Sequence, residues 1–237
     1  MKYIFIHIGK TAGTSFRQFL ESNVKRPYWG YAKLYFLTDK KDESEFHKVE
    51  PNGRLIFDYY NLFSEHFSYG LHPYLGKVEY QYIAVIRDPL SRTISQFNYG
   101  IDRGWYPKDA NIIDWFMNDD PFLEHTRLDR SLYQLRHVSG LPIELPIEVQ
   151  LNGALKNLKN DNFLFGFTEY YNEFIDLCCS VNGWKPKYNS INKTQNKHNI
   201  SDKERGILMA ELVNEYVFYE EARKVYNEKY KTHLKND

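Results

Sequence analysis

The chain has 237 residues, with 31 basic and 31 acidic side chains. That length suits one α/β domain over residues 1–237 and is tight for two. The balanced charge gives no reason to expect nucleic acid or a membrane surface as partner, and it does not favour a strongly anionic acceptor. No apolar run approaches the ~18 residues of a membrane span, and the opening residues read as a core strand rather than a signal peptide, so a cytoplasmic protein is expected.

Tyr3 to Ile8, YIFIHI, is β-branched or aromatic almost throughout, the pattern of a strand buried on both faces. Gly9 to Gly13 then form a small-residue turn around Lys10. Thr14 and Ser15 stand at the N-cap of a helix that carries Phe16, Phe19 and Leu20 and runs to about Asn23. Such a junction points free backbone N–H groups and the positive end of a helix dipole at one place, a trap for phosphate or a relative of it. A Walker loop would need a glycine five residues before Gly9, and Ile4 is there.

Lys25 to Gly53 has no clean period. Arg54 to Tyr60, RLIFDYY, predicts a strand, and Asn61 to Gly70 a connection. Tyr80 to Ile86, YQYIAVI, predicts a second buried strand that ends at Arg87-Asp88-Pro89. There Asp88 can cap a helix that begins with Pro89 and turns Ile94, Phe97 and Ile101 inward. Ile112 to Met117 is a short helix. Helical spacing recurs in Leu128, Leu132, Leu135 and Val138, and again in Val149, Leu151, Leu155 and Leu158.

Phe163 to Phe167 is a strand. The helix after it faces inward with Phe174, Ile175, Cys178 and Val181 and stops at Asn182-Gly183. The adjacent Cys178 and Cys179 suit neither a disulfide nor a metal site. Residues 185–199 read as a polar loop, and Ser201-x-x-Glu204 is a capping box for a last helix through Leu208, Leu212, Tyr216, Tyr219, Val225 or Tyr226, and Tyr230. Strands followed by helices imply a mostly parallel sheet covered on both faces, with ligands beyond the C-terminal strand ends.

Two stretches carry a resemblance. His7 to Ser15, HIGKTAGTS, resembles the 5′-phosphosulfate loop of sulfotransferases that use 3′-phosphoadenosine 5′-phosphosulfate (PAPS), in the carbohydrate branch with heparan sulfate 2-O-sulfotransferase and its bacterial relatives. Ile86 to Tyr99, IRDPLSRTISQFNY, resembles the 3′-phosphate motif of that family, whose arginine and serine match Arg87 and Ser95. The resemblance implies a P-loop-like three-layer α/β fold. It also implies in-line transfer of a sulfuryl group from PAPS to a hydroxyl on a glycan or glycoconjugate, leaving 3′-phosphoadenosine 5′-phosphate.

In that reading Gly9, Lys10, Thr11, Ala12, Gly13, Thr14, Ser15, Arg87 and Ser95 bind the cofactor, and Lys10 also serves the leaving-group oxygen. Gly70-Leu71-His72-Pro73-Tyr74 resembles the Gly-His segment that holds the family's base, which makes His72 the expected base, although here Leu71 intervenes. His66 and Glu65 are the other candidates, and His7 is expected to pack against the loop. The family closes its cofactor site with a polar loop before the last helix, a place held here by Asn192, Lys193 and Thr194. No metal is expected, and no acidic strand end is evident near the loop. The rival readings are a nucleoside-phosphate kinase, which would need magnesium and the Walker glycine, and a nucleotide-binding module without turnover.

Overall fold

The computed structural model describes residues 1–28, 60–119, 122, 125–188 and 200–230. Among these residues five strands form one sheet: β1 (Lys2–Ile6), β2 (Pro27–Tyr28), β3 (Leu62–Glu65), β4 (Tyr80–Ile86) and β5 (Phe163–Phe167), in the order β2-β3-β1-β4-β5. Every neighbouring pair is parallel. β1 therefore sits in the middle, with Ile4, Phe5 and Ile6 wholly buried, as its continuous apolar run demands.

The register sorts side chains onto two faces. Phe5, level with Ile83 and Leu164, looks toward α1 (Gly13–Asn23) and a later helix, α7 (Tyr171–Asn182). The Phe16 ring of α1 packs 5.1 Å from both Phe5 and Phe174 there. On the opposite face Phe165 and Phe167 meet Tyr226 and Tyr219 of the last helix, α9 (Val213–Lys229). Each fully buried phenylalanine contributes roughly 1.5–3 kcal/mol, so these two aromatic layers hold the helices to the sheet. The result is the expected three-layer α/β arrangement.

Between them run α2 (Pro89–Asp102), α3 (Ile112–Met117), α4 (Arg127–Ser131), α5 (Tyr133–Ser139), α6 (Ile147–Lys159) and α8 (Asp202–Glu211). Asp88 caps α2 by accepting the Ser91 N–H at 2.8 Å, with Pro89 in the first turn. The Ser201–Glu204 capping box opens α8, and α7 stops at Gly183 in the left-handed region with φ 67°. Cys178 is a buried free thiol and Cys179 a half-buried one. No helix among the described residues is long and apolar enough to cross a membrane.

Four expectations need correction. The strand read over Arg54 to Tyr60 falls, but for Tyr60, outside the described residues, while the stretch from Asn61 to Gly70, read as a connection, contains the strand Leu62–Glu65. Its Ser64 and Glu65 are buried polar residues, which hides it from an apolar pattern. The Leu128–Val138 stretch breaks at Leu132 into α4 and α5, leaving Leu128 exposed, and the final stretch breaks at Leu212 into α8 and α9. Val149 and Val181 face solvent, although their spacing reads as inward. Finally, α1 begins at Gly13 with Ala12 as its cap, so Thr14 and Ser15 lie inside the first turn.

Candidate active site

β1 ends at Ile6, and the chain turns at once toward α1. Two non-glycine residues in this turn hold positive φ, Lys10 at 69° and Ala12 at 60°. That conformation costs roughly 1–2 kcal/mol for an L-residue, strain that accumulates where backbone must be aimed. Thr11 is fully buried and donates its hydroxyl to the Ile8 carbonyl at 2.9 Å, so its side chain braces the turn from within. No side chain caps α1 at Ala12, so nothing at the cap competes for the first-turn amides beside the exposed Thr14. Ser15 is buried.

His7 fixes the inner wall. A Cβ on Gly13 would lie 2.0 Å from the His7 ring, so only glycine allows the helix to start this close to β1. Burial, and then the neighbouring His66, hold the His7 imidazole down at about 3, so it stays neutral and serves as packing, as expected.

Arg87 follows the last residue of β4, the strand beside β1. Its Nη1 donates to the Lys10 carbonyl at 2.9 Å, which joins the two predicted anion-binding motifs in one crevice. Ser95 is half-buried on α2, two turns beyond Arg87. Lys10 extends to place its Nζ 3.9 Å from the centroid of Tyr99, one turn after Ser95 on the same helix. Burial first, and then the Arg87 charge, bring the Lys10 ammonium down to about 8, with Asp102 acting in the opposite direction. Two cations held this close favour an anionic guest between them.

A second group of side chains stands where β3 ends, beside β1. His66 stacks on His7 with ring centroids 4.4 Å apart. Its Nδ1 is buried with no hydrogen-bond partner, and burial holds its imidazole below the usual range, partly offset by a hydrogen bond with the His7 backbone. Glu65, the last residue of β3, is buried with one carboxylate oxygen unpartnered, and burial pushes it up to about 7 against the pull of Arg17. An acidic strand end does therefore exist near the loop, contrary to the sequence reading. No group of three or more ligating side chains that could hold a metal occurs among the described residues.

His72 is not brought to this crevice. It opens a short 3-10 turn (His72–Leu75), its ring stacks on Tyr80 at 4.9 Å, and Tyr80 is paired with Lys2 at the opening of the sheet. Arg87 lies seven residues farther along, roughly 23 Å of extended strand. The Tyr82 hydroxyl accepts the Gly70 and His72 N–H groups at 3.1 and 2.9 Å and lies 3.2 Å from His72 Nδ1, which gives this histidine a part in anchoring the turn. Lys193 and Thr194 lie outside the described residues.

Sequence reasoning missed Tyr99, although its place one turn after Ser95 was a usable signal. It also missed the buried Gln134, whose amide donates to the Arg87 carbonyl and accepts the Arg87 N–H, each at 2.8 Å. Nothing local marks Gln134, because its partner lies on another element.

A parallel sheet with a strained, glycine-flanked turn after the central strand and an arginine at the tip of the next is the arrangement on which α/β proteins commonly bind anions. Residues 1–118, just under half of the chain, match the model of the sulfotransferase family. The match spans the turn, β3 with His66, and the Arg87–Ser95 segment, and supports sulfuryl transfer in general. No curated protein matches the chain.

Proposed function

We propose that the whole chain is a PAPS-dependent sulfotransferase that sulfates a hydroxyl on a carbohydrate or glycoconjugate. The observation that carries this is the Arg87 guanidinium on the Lys10 carbonyl, which makes one crevice of two anion sites. PAPS bears a 5′-phosphosulfate and a 3′-phosphate and so asks for two such sites. The residues present fit it: a strained turn rich in backbone N–H groups, a lysine depressed by burial and then by the Arg87 charge, and a buried histidine nitrogen without a partner.

When bound, PAPS supplies the sulfuryl group. Lys10 and the Gly9–Ser15 backbone would hold its 5′-phosphosulfate end and offer positive charge to the leaving phosphate oxygen. Arg87 and Ser95 would hold the 3′-phosphate, for which a guanidinium offers charge-assisted hydrogen bonds. We assign the general base to His66, since it stands at the C-terminal edge beside the turn and is neutral near pH 7. Glu65 shares that strand end. The carbohydrate acceptor rests on the resemblance of the two motifs.

Calorimetric titration with 3′-phosphoadenosine 5′-phosphate tests the proposal, with ATP and magnesium as comparison. Magnesium-independent binding that weakens at least tenfold in Lys10→Ala and in Arg87→Ala is expected, about the loss of one charge-assisted contact. Preference for ATP with magnesium would replace this reading with a kinase in which Glu65 serves the metal.

A further inference from the structure

The Arg87 corner is gripped from outside its own motif. Thr168 Oγ1 donates to the Ile86 carbonyl at 3.2 Å, Gln134 satisfies both the N–H and the carbonyl of Arg87, and the Glu169 carboxylate accepts the Asp88 N–H at 2.9 Å. The Tyr216 hydroxyl donates to the Asp88 carboxylate at 3.0 Å. Three consecutive residues are thus held by side chains from α5, from the end of β5 and from α9, all beyond the 118 residues that the family model covers.

Gln134 is in turn held. It is fully buried, and its own N–H donates to Glu215 at 2.6 Å, while Glu215 also accepts the Leu135 N–H at 3.3 Å. Burial pushes the Glu215 carboxyl up to about 7, opposed first by the charge of the buried Arg92. The amide therefore has one orientation: its oxygen must face the Arg87 N–H and its nitrogen the Arg87 carbonyl. A strand tip usually frays, because beyond its last ladder bond the backbone groups lack partners. Here each is answered by a side chain of fixed position.

We infer that Gln134, Glu169 and Tyr216 form a collar of positioning residues that presets Arg87 for the 3′-phosphate of the donor nucleotide and for the Lys10 carbonyl. The inference rests on the sulfotransferase reading for the identity of the anion, while the ordering of Arg87 itself does not. The collar's hydrogen bonds go to the arginine's backbone and to its neighbour, and the Glu169 charge also acts on the Arg87 guanidinium, so the collar acts before any ligand enters. The long guanidinium side chain then starts from one base, and less rotamer entropy is lost when phosphate binds.

The test compares 3′-phosphoadenosine 5′-phosphate with adenosine 5′-phosphate, which lacks the 3′-phosphate, by calorimetry on the intact chain. In Gln134→Leu the first ligand should weaken about tenfold and the second by less than about threefold, so that their affinity ratio collapses. Tyr216→Phe, which keeps the ring and loses one hydroxyl, should lower the ratio about threefold. Glu169→Gln, which keeps an acceptor for the Asp88 N–H but removes the carboxylate charge beside the Arg87 guanidinium, should not lower the ratio, and Glu169→Leu should lower it relative to Glu169→Gln. A general loss of stability would move both ligands together.

The nitrogen–proton NMR signal of the Arg87 Nε group in the free protein gives a readout that needs no nucleotide. It should be that of an ordered guanidinium in wild type and an averaged one in Gln134→Leu or, should that variant not fold, in Tyr216→Phe. An ordered signal in a wild-type chain that binds no 3′-phosphoadenosine 5′-phosphate keeps the collar and removes the sulfotransferase reading. Folded collar variants with an unchanged affinity ratio and an unchanged Arg87 signal overturn the collar.

Discussion

At the scale of single residues, the two histidines near β3 and β4 divide cleanly by environment. His66 stands at a C-terminal strand end with an unpartnered buried nitrogen, whereas His72 spends its backbone N–H on the Tyr82 hydroxyl. His66→Gln should therefore lower turnover by 10²-fold or more, the usual scale of general-base loss, with little change in nucleotide affinity. His72→Asn should leave turnover within about threefold and cost about 1 kcal/mol of stability. Steady-state kinetics beside urea unfolding of both variants checks the pair, and the reverse outcome would return the base to His72. Lys10 gives a second expectation. With its ammonium brought down to about 8, nucleotide binding above that pH must carry a proton onto the lysine. Affinity should fall as pH rises past about 8, and titration in buffers of different ionisation enthalpy should report proton uptake. Neither difference could be read locally: both histidines follow short aromatic-rich stretches, and only their placement along the sheet separates them.

At the scale of elements, the turn between β1 and α1 works because His7 and Gly13 interlock. A methyl at position 13 would meet the His7 ring at 2.0 Å. Gly13→Ala should cost about 1–3 kcal/mol through the forced shift, and it should weaken nucleotide binding because the turn moves with the helix start. Thermal melting together with the calorimetric titration measures both. β1, β4, β5, α2 and the capping box of α8 were legible in the sequence because each has a local cause: a continuous apolar run, an Asp-Pro start, or a Ser-x-x-Glu signature. β3 was not, since Ser64 and Glu65 become buried only when β1 and the helices close around them. The breaks at Leu132 and Leu212 were likewise invisible, because both leucines keep the helical spacing while their backbone leaves the helix.

At the scale of the whole molecule, burial sets the response to acid. His7, His66 and His137 are held below their usual range, chiefly by burial, so the folded state binds fewer protons on them than the unfolded chain does below about pH 6.5. That stability is present above 6.5 and is lost as pH falls. Glu65 and Glu215, each pushed up to about 7, act oppositely: between about pH 4.5 and 7 the folded state holds protons that the unfolded chain has released, which favours the fold at the acid end of that window. The melting temperature should therefore fall only shallowly from pH 6.5 to 4.5 and more steeply below 4.5, where the carboxyl contribution no longer changes. Melts across pH 3.5–8 check this, and a flat profile below 4.5 would refute it.

The sequence by itself determined the sheet's central strands, the glycine-flanked turn after the first of them and the arginine at the next strand tip, because these depend on residue type over a few neighbouring positions. Only the tertiary structure decided that His66 rather than His72 stands beside the turn, that an acidic strand end is there too, and that Gln134, Glu169 and Tyr216 converge on Arg87 and Asp88. Those facts depend on which elements become neighbours once the sheet is ordered β2-β3-β1-β4-β5, and residues dozens of positions apart carry no local mark of that meeting.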